Sequence, residues 1–279
     1  MPGTLYLVPT PIGNLGDMSF RAIEVLKAVN RIACEDTRTS GVLLKHYGIA
    51  TPTVSFHKFN ERSRSNELVG NLKSGLDIAV ITDAGTPGIS DPAFFLVRLA
   101  VEAGIEVYPL PGPTAFLPAL TASGLPPQPF LFIGFPPEKP GDLRRLTEGV
   151  RSTPATLVFY ESPHRFRASL GVLRETLGER RAVIARELTK MFQSFYRGTL
   201  GELMIADVPE KGEFVLLVEG ALPEPASDDE LRIMLGEQVK QGHSLKDAAK
   251  IVAATTGERV NRLYRLGIDP EKNLAGDNE

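Results

Sequence analysis

A chain of 279 residues, 42% of them apolar, is long enough for two cores, and two domains are the expectation. The net charge of -3 argues against a bulk nucleic-acid binder, while a whole-chain sum says nothing about local basic patches. The single cysteine, Cys34, excludes disulfides within the chain and fits a reducing cytoplasm, and no apolar run approaches the roughly 18 residues of a membrane span or a signal-peptide pattern.

Taken in order, the elements alternate between strand and helix. Thr4 to Val8 reads as a strand, Pro9 to Asp17 as a loop rich in glycine and proline, and Ser19 as the cap of a helix over Phe20 to Val29. That loop holds only Gly13 and Gly16, so the dinucleotide fingerprint G-x-G-x-x-G is absent, as is a P-loop. Arg31 to Cys34 reads as a second strand. Glu35, Asp36, Thr37 and Arg38 cluster at its carboxyl end, where charge suits a site and where Asp36 or Thr37 equally suits the cap of a helix ending at Gly48. A strand over Thr53 to Phe56 and an amphipathic helix over Asn60 to Ser74 follow.

Ile78 to Ile81 is a short apolar run, the pattern of a buried parallel strand. It opens into ITDAGTPGISDP (Ile81 to Pro92), a stretch with little that packs, where Gly85, Pro87 and Gly88 shape the backbone. Asp91 and Pro92 read as N-cap and first position of a helix over Ala93 to Ala103. The next strand, Ile105 to Tyr108, leads into PLPGPTA (Pro109 to Ala115) and a helix over Ala115 to Ala122. Loops at the carboxyl ends of α/β strands are the usual binding crevice, and these two are expected to form opposite walls of one pocket, although each alone is also consistent with a tight turn.

The pattern restarts at Phe130. Strands are expected at Phe130 to Gly134, Ala155 to Tyr160 and Ala182 to Ala185, with a helix ending near Val150 and another opened by Ser162 and Pro163 that runs to Leu177. Gln193 to Arg197 and Glu213 to Val218 read as closing antiparallel strands. Past a short linker (Pro223 to Ser227) the chain turns polar and helical: Asp228 to Gln241, Ser244 to Ala254 and Glu258 to Leu266. Between Gly242 and Gly267, five basic residues stand against two acidic ones, and the last two helices resemble a helix-turn-helix, or equally a small appendage with a solvated basic face. Pro270 to Glu279 has almost no apolar content and is expected to be disordered. The expected fold class is α/β, divided as residues 1–115, residues 116–222 and a helical tail over residues 228–269.

Several stretches together resemble the tetrapyrrole methylase family: LYLVPTPIGNLGD (Leu5 to Asp17), CEDTR (Cys34 to Arg38), TDAGTPGISDP (Thr82 to Pro92), PLPGPTA, FYESPHR (Phe159 to Arg165) and ARELTK (Ala185 to Lys190). The likeness runs from Thr4 to about Gly220 and is strongest to the branch acting on small-subunit ribosomal RNA. It implies two α/β domains with a cleft between them that binds S-adenosylmethionine (SAM), and 2′-O-methylation of a cytidine ribose in the decoding region of 16S rRNA, free or in the small subunit. A homodimer is implied as well. In tetrapyrrole-modifying relatives the central loop reads glycine, aspartate, proline; here Thr86 follows Gly85, which argues against a porphyrinoid substrate. Carried onto this chain, the SAM site is Pro9, Gly85, Thr86, Ile89, Ser90, Thr114, Ala115, Tyr160 and Leu188. A small-molecule methylase and a non-catalytic RNA-binding assembly factor are the competing readings.

A ribose hydroxyl needs a proton acceptor to become a good nucleophile. Carboxylates and a histidine at strand ends supply candidates: Glu187 first, Asp36 next, then Glu35, Glu161 and His164. Arg38, Arg165, Arg186 and Lys190 lie beside them in sequence and suit phosphates, as do Arg259 and Arg262 in the basic tail; an interdomain ion-pair network would use several of the same residues. No spacing of His, Cys and carboxylates suggests a metal site, although a solvent-held Mg²⁺ recruited with RNA stays open.

Overall fold

The structure is a computed structural model and describes residues 1–222 and 226–268; residues 223–225 of the expected linker and the polar end from residue 269 lie outside the described residues. The chain divides into two compact units, Met1–Ala221 and Leu222–Glu279.

The larger unit holds two five-stranded sheets. In the first, β1 (Leu5–Leu7), β2 (Arg31–Cys34), β3 (Thr53–Ser55), β4 (Ile78–Ile81) and β5 (Val107–Pro109) are all parallel, in the order β3-β2-β4-β1-β5. The apolar run of β4 is buried at every residue because both faces are covered, as the physics of parallel sheets requires. Ile78 and Val80 pack with Leu68 and Leu72 of α3 (Glu61–Lys73) and Leu96 of α4 (Phe94–Glu102). Ala79 and Ile81 face the other way, onto Ala22 and Leu26 of α1 (Phe20–Ala28) and Leu44 of α2 (Thr37–His46). The strand order places the loops after β4, β1 and β5 side by side.

The second sheet is mixed. It contains β6 (Phe130–Gly134), β7 (Thr156–Glu161), β8 (Arg181–Arg186), β9 (Ser194–Thr199) and β10 (Phe214–Val218), ordered β6-β7-β10-β8-β9, with only the β6–β7 pair parallel. One face packs on α7 (Phe166–Leu177) and α8 (Leu200–Ile205) through Phe166, Leu170, Leu173, Leu200 and Leu203. The other packs on Ala119 and Leu120 of α5 (Phe116–Ser123) and on Ile12, which the loop after β1 inserts from the first half. A further helix, α6 (Pro140–Gly149), precedes β7.

Element order and type follow the sequence closely, and the differences have physical causes. Helix α8 is not anticipated by the apolar pattern; its signal is the capping box of Thr199 and Glu202, in which each side chain bonds the other's backbone N–H. Both helices expected to open on a cap followed by proline start later. Asp91 does not cap α4: the helix begins at Phe94, and Glu61 of α3 accepts from the N–H groups of Ala93 (3.2 Å) and Phe95 (3.3 Å) in its place. Ser162 likewise begins a turn, its carbonyl accepting from Arg165 and Phe166, and α7 starts at Phe166.

The smaller unit contains α9 (Asp228–Lys240), α10 (Leu245–Thr256) and α11 (Val260–Ile268), packed through Leu231, Leu235, Ala248, Ala249, Val252 and Leu263. Ser227 and Glu230 form its capping box.

Because Glu61 replaces the expected cap, Glu61→Ala is expected to destabilise the protein by about 1 kcal/mol, measured by urea unfolding, whereas Asp91→Ala leaves the start of α4 intact.

Candidate active site

Three loops of the first sheet are tied together before they meet the second. Thr10 and Gly85 exchange both backbone hydrogen bonds, each 2.9 Å, as an isolated antiparallel bridge between the loops after β1 and β4. The buried Thr10 hydroxyl donates to the Thr82 carbonyl (2.9 Å), and the Thr86 hydroxyl donates to the Pro113 carbonyl (2.9 Å), which joins the loop after β5. Gly85 adopts φ +88°, a conformation that favours glycine, and no side chain crowds the place where a Cβ would stand.

Against this wall the second sheet sets another, and a cleft with about 880 Å³ of empty space, its open mouth included, lies between them. Gly85, Thr86, Ile89, Ser90, Thr114, Ala115, Tyr160 and Leu188 all line it, so the structure brings together eight of the nine residues expected to hold the cofactor. The Thr114 and Tyr160 hydroxyl oxygens stand 3.5 Å apart across the two halves. Pro9 is outside the lining: it is buried under Gly112, whose missing Cβ would fall 2.6 Å from the Pro9 Cβ.

Ile12, Phe135, Val215, Asp91 and Glu213 line the cleft as well, and none of them is among the residues expected there from sequence. Strand alternation marks Val215 as one residue of a buried strand without saying which face meets a ligand, and Asp91 is concealed by its resemblance to a helix cap.

Of the expected catalytic carboxylates Glu161 lines the cleft, whereas Glu187, Asp36 and Glu35 lie outside the lining. Asp36 caps α2 through the Arg38 N–H (2.8 Å) and pairs with the Arg38 guanidinium (3.0 Å), whose hydrogen bond holds its pKa below the usual aspartate value. Glu187 adopts φ +51° and Thr189 φ +66°, two strained non-glycine residues in a single turn. The Glu187 carboxylate accepts from Lys190 Nζ (2.9 Å) and the Glu213 N–H (3.0 Å) and lies over Gly212. Burial raises its pKa, but the Lys190 and Glu213 hydrogen bonds outweigh that and the net shift is downward. Glu187 therefore shapes this turn, and Lys190, which also reaches Glu213 (3.0 Å), clamps it. His164 is exposed.

Glu35, Asp83 and Asp91 gather at one side. Burial raises Glu35, with Asp83 adding to it; burial raises Asp83; and burial, then Glu35 and Asp83, push Asp91 up to about 6.

Most of the arginines bind the protein itself. Arg165 donates to the carbonyls of Pro136 (3.1 Å) and Pro137 (2.9 Å), and Arg186 to those of Lys211 (2.8 Å) and Phe192 (3.3 Å). In the smaller unit, Arg262 pairs with Asp228 and Glu258, while Lys246, Arg259 and Arg265 are exposed and have no ion-pair partner among the described residues. Those residues also contain no His, Cys and carboxylate group able to hold a metal ion, and no helix among them is long and apolar enough to cross a membrane.

Comparison with known proteins agrees with this geometry. The family model described as Tetrapyrrole (Corrin/Porphyrin) Methylases matches residues 4–204. A protein of Mesorhizobium japonicum named ribosomal RNA small subunit methyltransferase I is 47% identical over 94% of this chain and 90% of its own length. The protein of the same name from Escherichia coli O157:H7 is 45% identical, covering 96% of each. Among solved structures, uroporphyrin-III-C-methyltransferase from Thermus thermophilus superposes with a TM-score of 0.53 at 19% identity, over 79% of this chain and 93% of its own. Diphthine synthase superposes at 0.61 and 13%, over 78% and 90%. At those identities the two structures speak for the fold alone.

Lys190→Ala removes the clamp from Glu187 and Glu213, and a loss of about 1 kcal/mol is expected in urea unfolding at neutral pH. Glu187, with its pKa lowered in the folded state, contributes stability above the ordinary glutamate range and loses it as pH falls through the depressed native value. The variant is accordingly expected to lose less stability than the parent on acidification over that window.

Proposed function

From the premise that this chain belongs to the tetrapyrrole methylase family, we propose that it transfers a methyl group from SAM to the 2′-oxygen of a cytidine ribose in 16S rRNA of the small ribosomal subunit. The observation that carries the donor is the chemistry of the cleft. Its walls are apolar (Ile12, Ala84, Ile89, Ala115, Phe135, Leu188, Val215), its charged groups are the carboxylates Asp91, Glu161 and Glu213, and no lysine or arginine lines it. A phosphate-bearing cofactor would meet repulsion there. SAM, with a sulfonium, an ammonium and an adenine, fits the negative charge, the apolar surface and the polar groups of the glycine-rich loop.

The acceptor is supported by the relatives. They match 94–96% of this chain, which takes the likeness past residue 204 into the basic helices. Thr86 also bears on substrate class, since its hydroxyl is held by Pro113 in the position where porphyrinoid methylases carry an aspartate.

When bound, the donor supplies a methyl group already activated by the sulfonium. The protein's own contribution is to hold donor and acceptor in line, with Thr10 and Gly85 fixing one wall and Tyr160 and Leu188 the other. We take Lys246, Arg259 and Arg265 as the phosphate contacts of the tail. A cytoplasmic homodimer is the working form implied by the family likeness; Met191 and Phe192, exposed on the turn that carries Leu188, are apolar surface for a second copy.

Incubation with labelled SAM and small subunits lacking the modification is expected to place label on one cytidine 2′-oxygen, read by nuclease mapping. Label on a porphyrinoid would assign a small-molecule methylase, and absence of SAM binding a non-catalytic role. Ala115→Trp, which fills the cleft, is expected to weaken SAM binding at least about tenfold, measured by equilibrium dialysis.

A further inference from the structure

Three carboxylates line the cleft, and their bonding differs. Glu161 is buried, and its oxygens accept from the Ser162 N–H (2.6 Å) and the Ser169 hydroxyl. Glu213 is paired with Lys190 at 3.0 Å and is largely exposed. Asp91 receives no hydrogen bond and forms no ion pair with any described residue, although it is half-buried in the wall beside Ile89 and Ser90. It is free because Glu61 does the capping that its sequence position suggests for Asp91. A cleft carboxylate without an internal partner has its acceptor lone pairs available to a substrate.

We propose that Asp91 is the catalytic base, accepting the proton of the ribose hydroxyl as that oxygen bonds to the transferred methyl. This rests on the methyl-transfer reading above. In the step the O–H bond breaks and its proton goes to an Asp91 carboxylate oxygen; the hydroxyl oxygen's electron pair forms the new O–C bond. The C–S bond breaks with its electrons returning to sulfur, which becomes a neutral thioether. Asp91 then loses the proton to solvent.

Its surroundings suit the task. The charged groups around it are Glu35 and Asp83 on neighbouring loops, Glu161 and Glu213 in the same cleft, and Glu61 at the start of α3. His57 and Lys58 lie beside Glu35, and Arg62 lies over the Phe95 ring. Burial and the neighbouring acids raise Asp91 to about 6, which makes it more basic than an ordinary aspartate while it stays ionised at neutral pH.

The test is single-turnover methylation of unmodified small subunits across pH, with SAM affinity measured separately. Wild type is expected to gain rate with pH through about 6 and then level off. Asp91→Asn is expected to lose about 10²–10⁴-fold in rate, with the acidic limb gone and SAM affinity unchanged. Glu35→Gln removes a like charge and is expected to keep activity while moving the limb to lower pH, a readout independent of how well Asp91→Asn folds. Retained rate and limb in Asp91→Asn overturn the proposal, as does a loss confined to SAM affinity, which would assign Asp91 to holding the donor's cation. No transfer by wild type overturns the methyl-transfer reading itself, a result distinct from either.

Discussion

The paired hydrogen bonds between Thr10 and Gly85 are the constraint on which the site depends. A parallel sheet aligns the ends of its strands but leaves the loops beyond them without partners. Here one two-bond bridge satisfies both loops at their closest approach, and the Thr10 hydroxyl takes up the Thr82 carbonyl just before it. The φ of +88° at position 85 is one that glycine adopts freely, and the bridge leaves Ile12 directed into the core beneath the second sheet. The same contact thus sets one wall of the cleft and docks the two halves of the larger unit.

Charge is divided between interior and exterior. The cleft is lined by acids, and of the bases that sequence places near it Arg38 and Lys190 pair with carboxylates while Arg165 is directed to the carbonyls of Pro136 and Pro137 and Arg186 to those of Lys211 and Phe192; Arg197 likewise holds the carbonyls of Ala122 and Ser123. A guanidinium presents several donors in a fixed plane and can hold two carbonyls of a loop at once, which an ammonium does less well. The negative interior selects a cationic donor, and the immobilised arginines shape the loops around it.

Most of the architecture was legible in sequence because its signals are local. Ser19 caps α1 as read, Asp36 takes the capping role that is one of its two readings, and the apolar runs at Ile78–Ile81 and Phe214–Val218 are buried strands. The glycine and proline loops at Gly85 and Thr114 do line a cleft. What sequence concealed is non-local. The sequence reading makes the loops after β4 and β5 opposite walls, but β1 lies between their strands, so all three loops form one wall. Glu61 reaches another helix to cap it, and nothing in the run from Thr82 to Pro92 signals that Asp91 is thereby released. Glu187 has the position of a reactive strand-end acid, yet its bond from the Glu213 N–H appears only when β8 and β10 pair.

The strand order also governs when, during synthesis, the protein acquires its cleft. The first sheet is complete once Pro109 has emerged, and its strands are all parallel neighbours drawn from what has already been made. The second cannot close so early: its central strand, β10, is the last to be translated, and β7 and β8 must wait for Phe214–Val218 to fill the gap between them. Val215 of that strand is part of the cleft wall. A nascent chain therefore carries a finished half and an open one for roughly a hundred residues of elongation, on the order of ten seconds, and gains the complete site only when the final strand slots in.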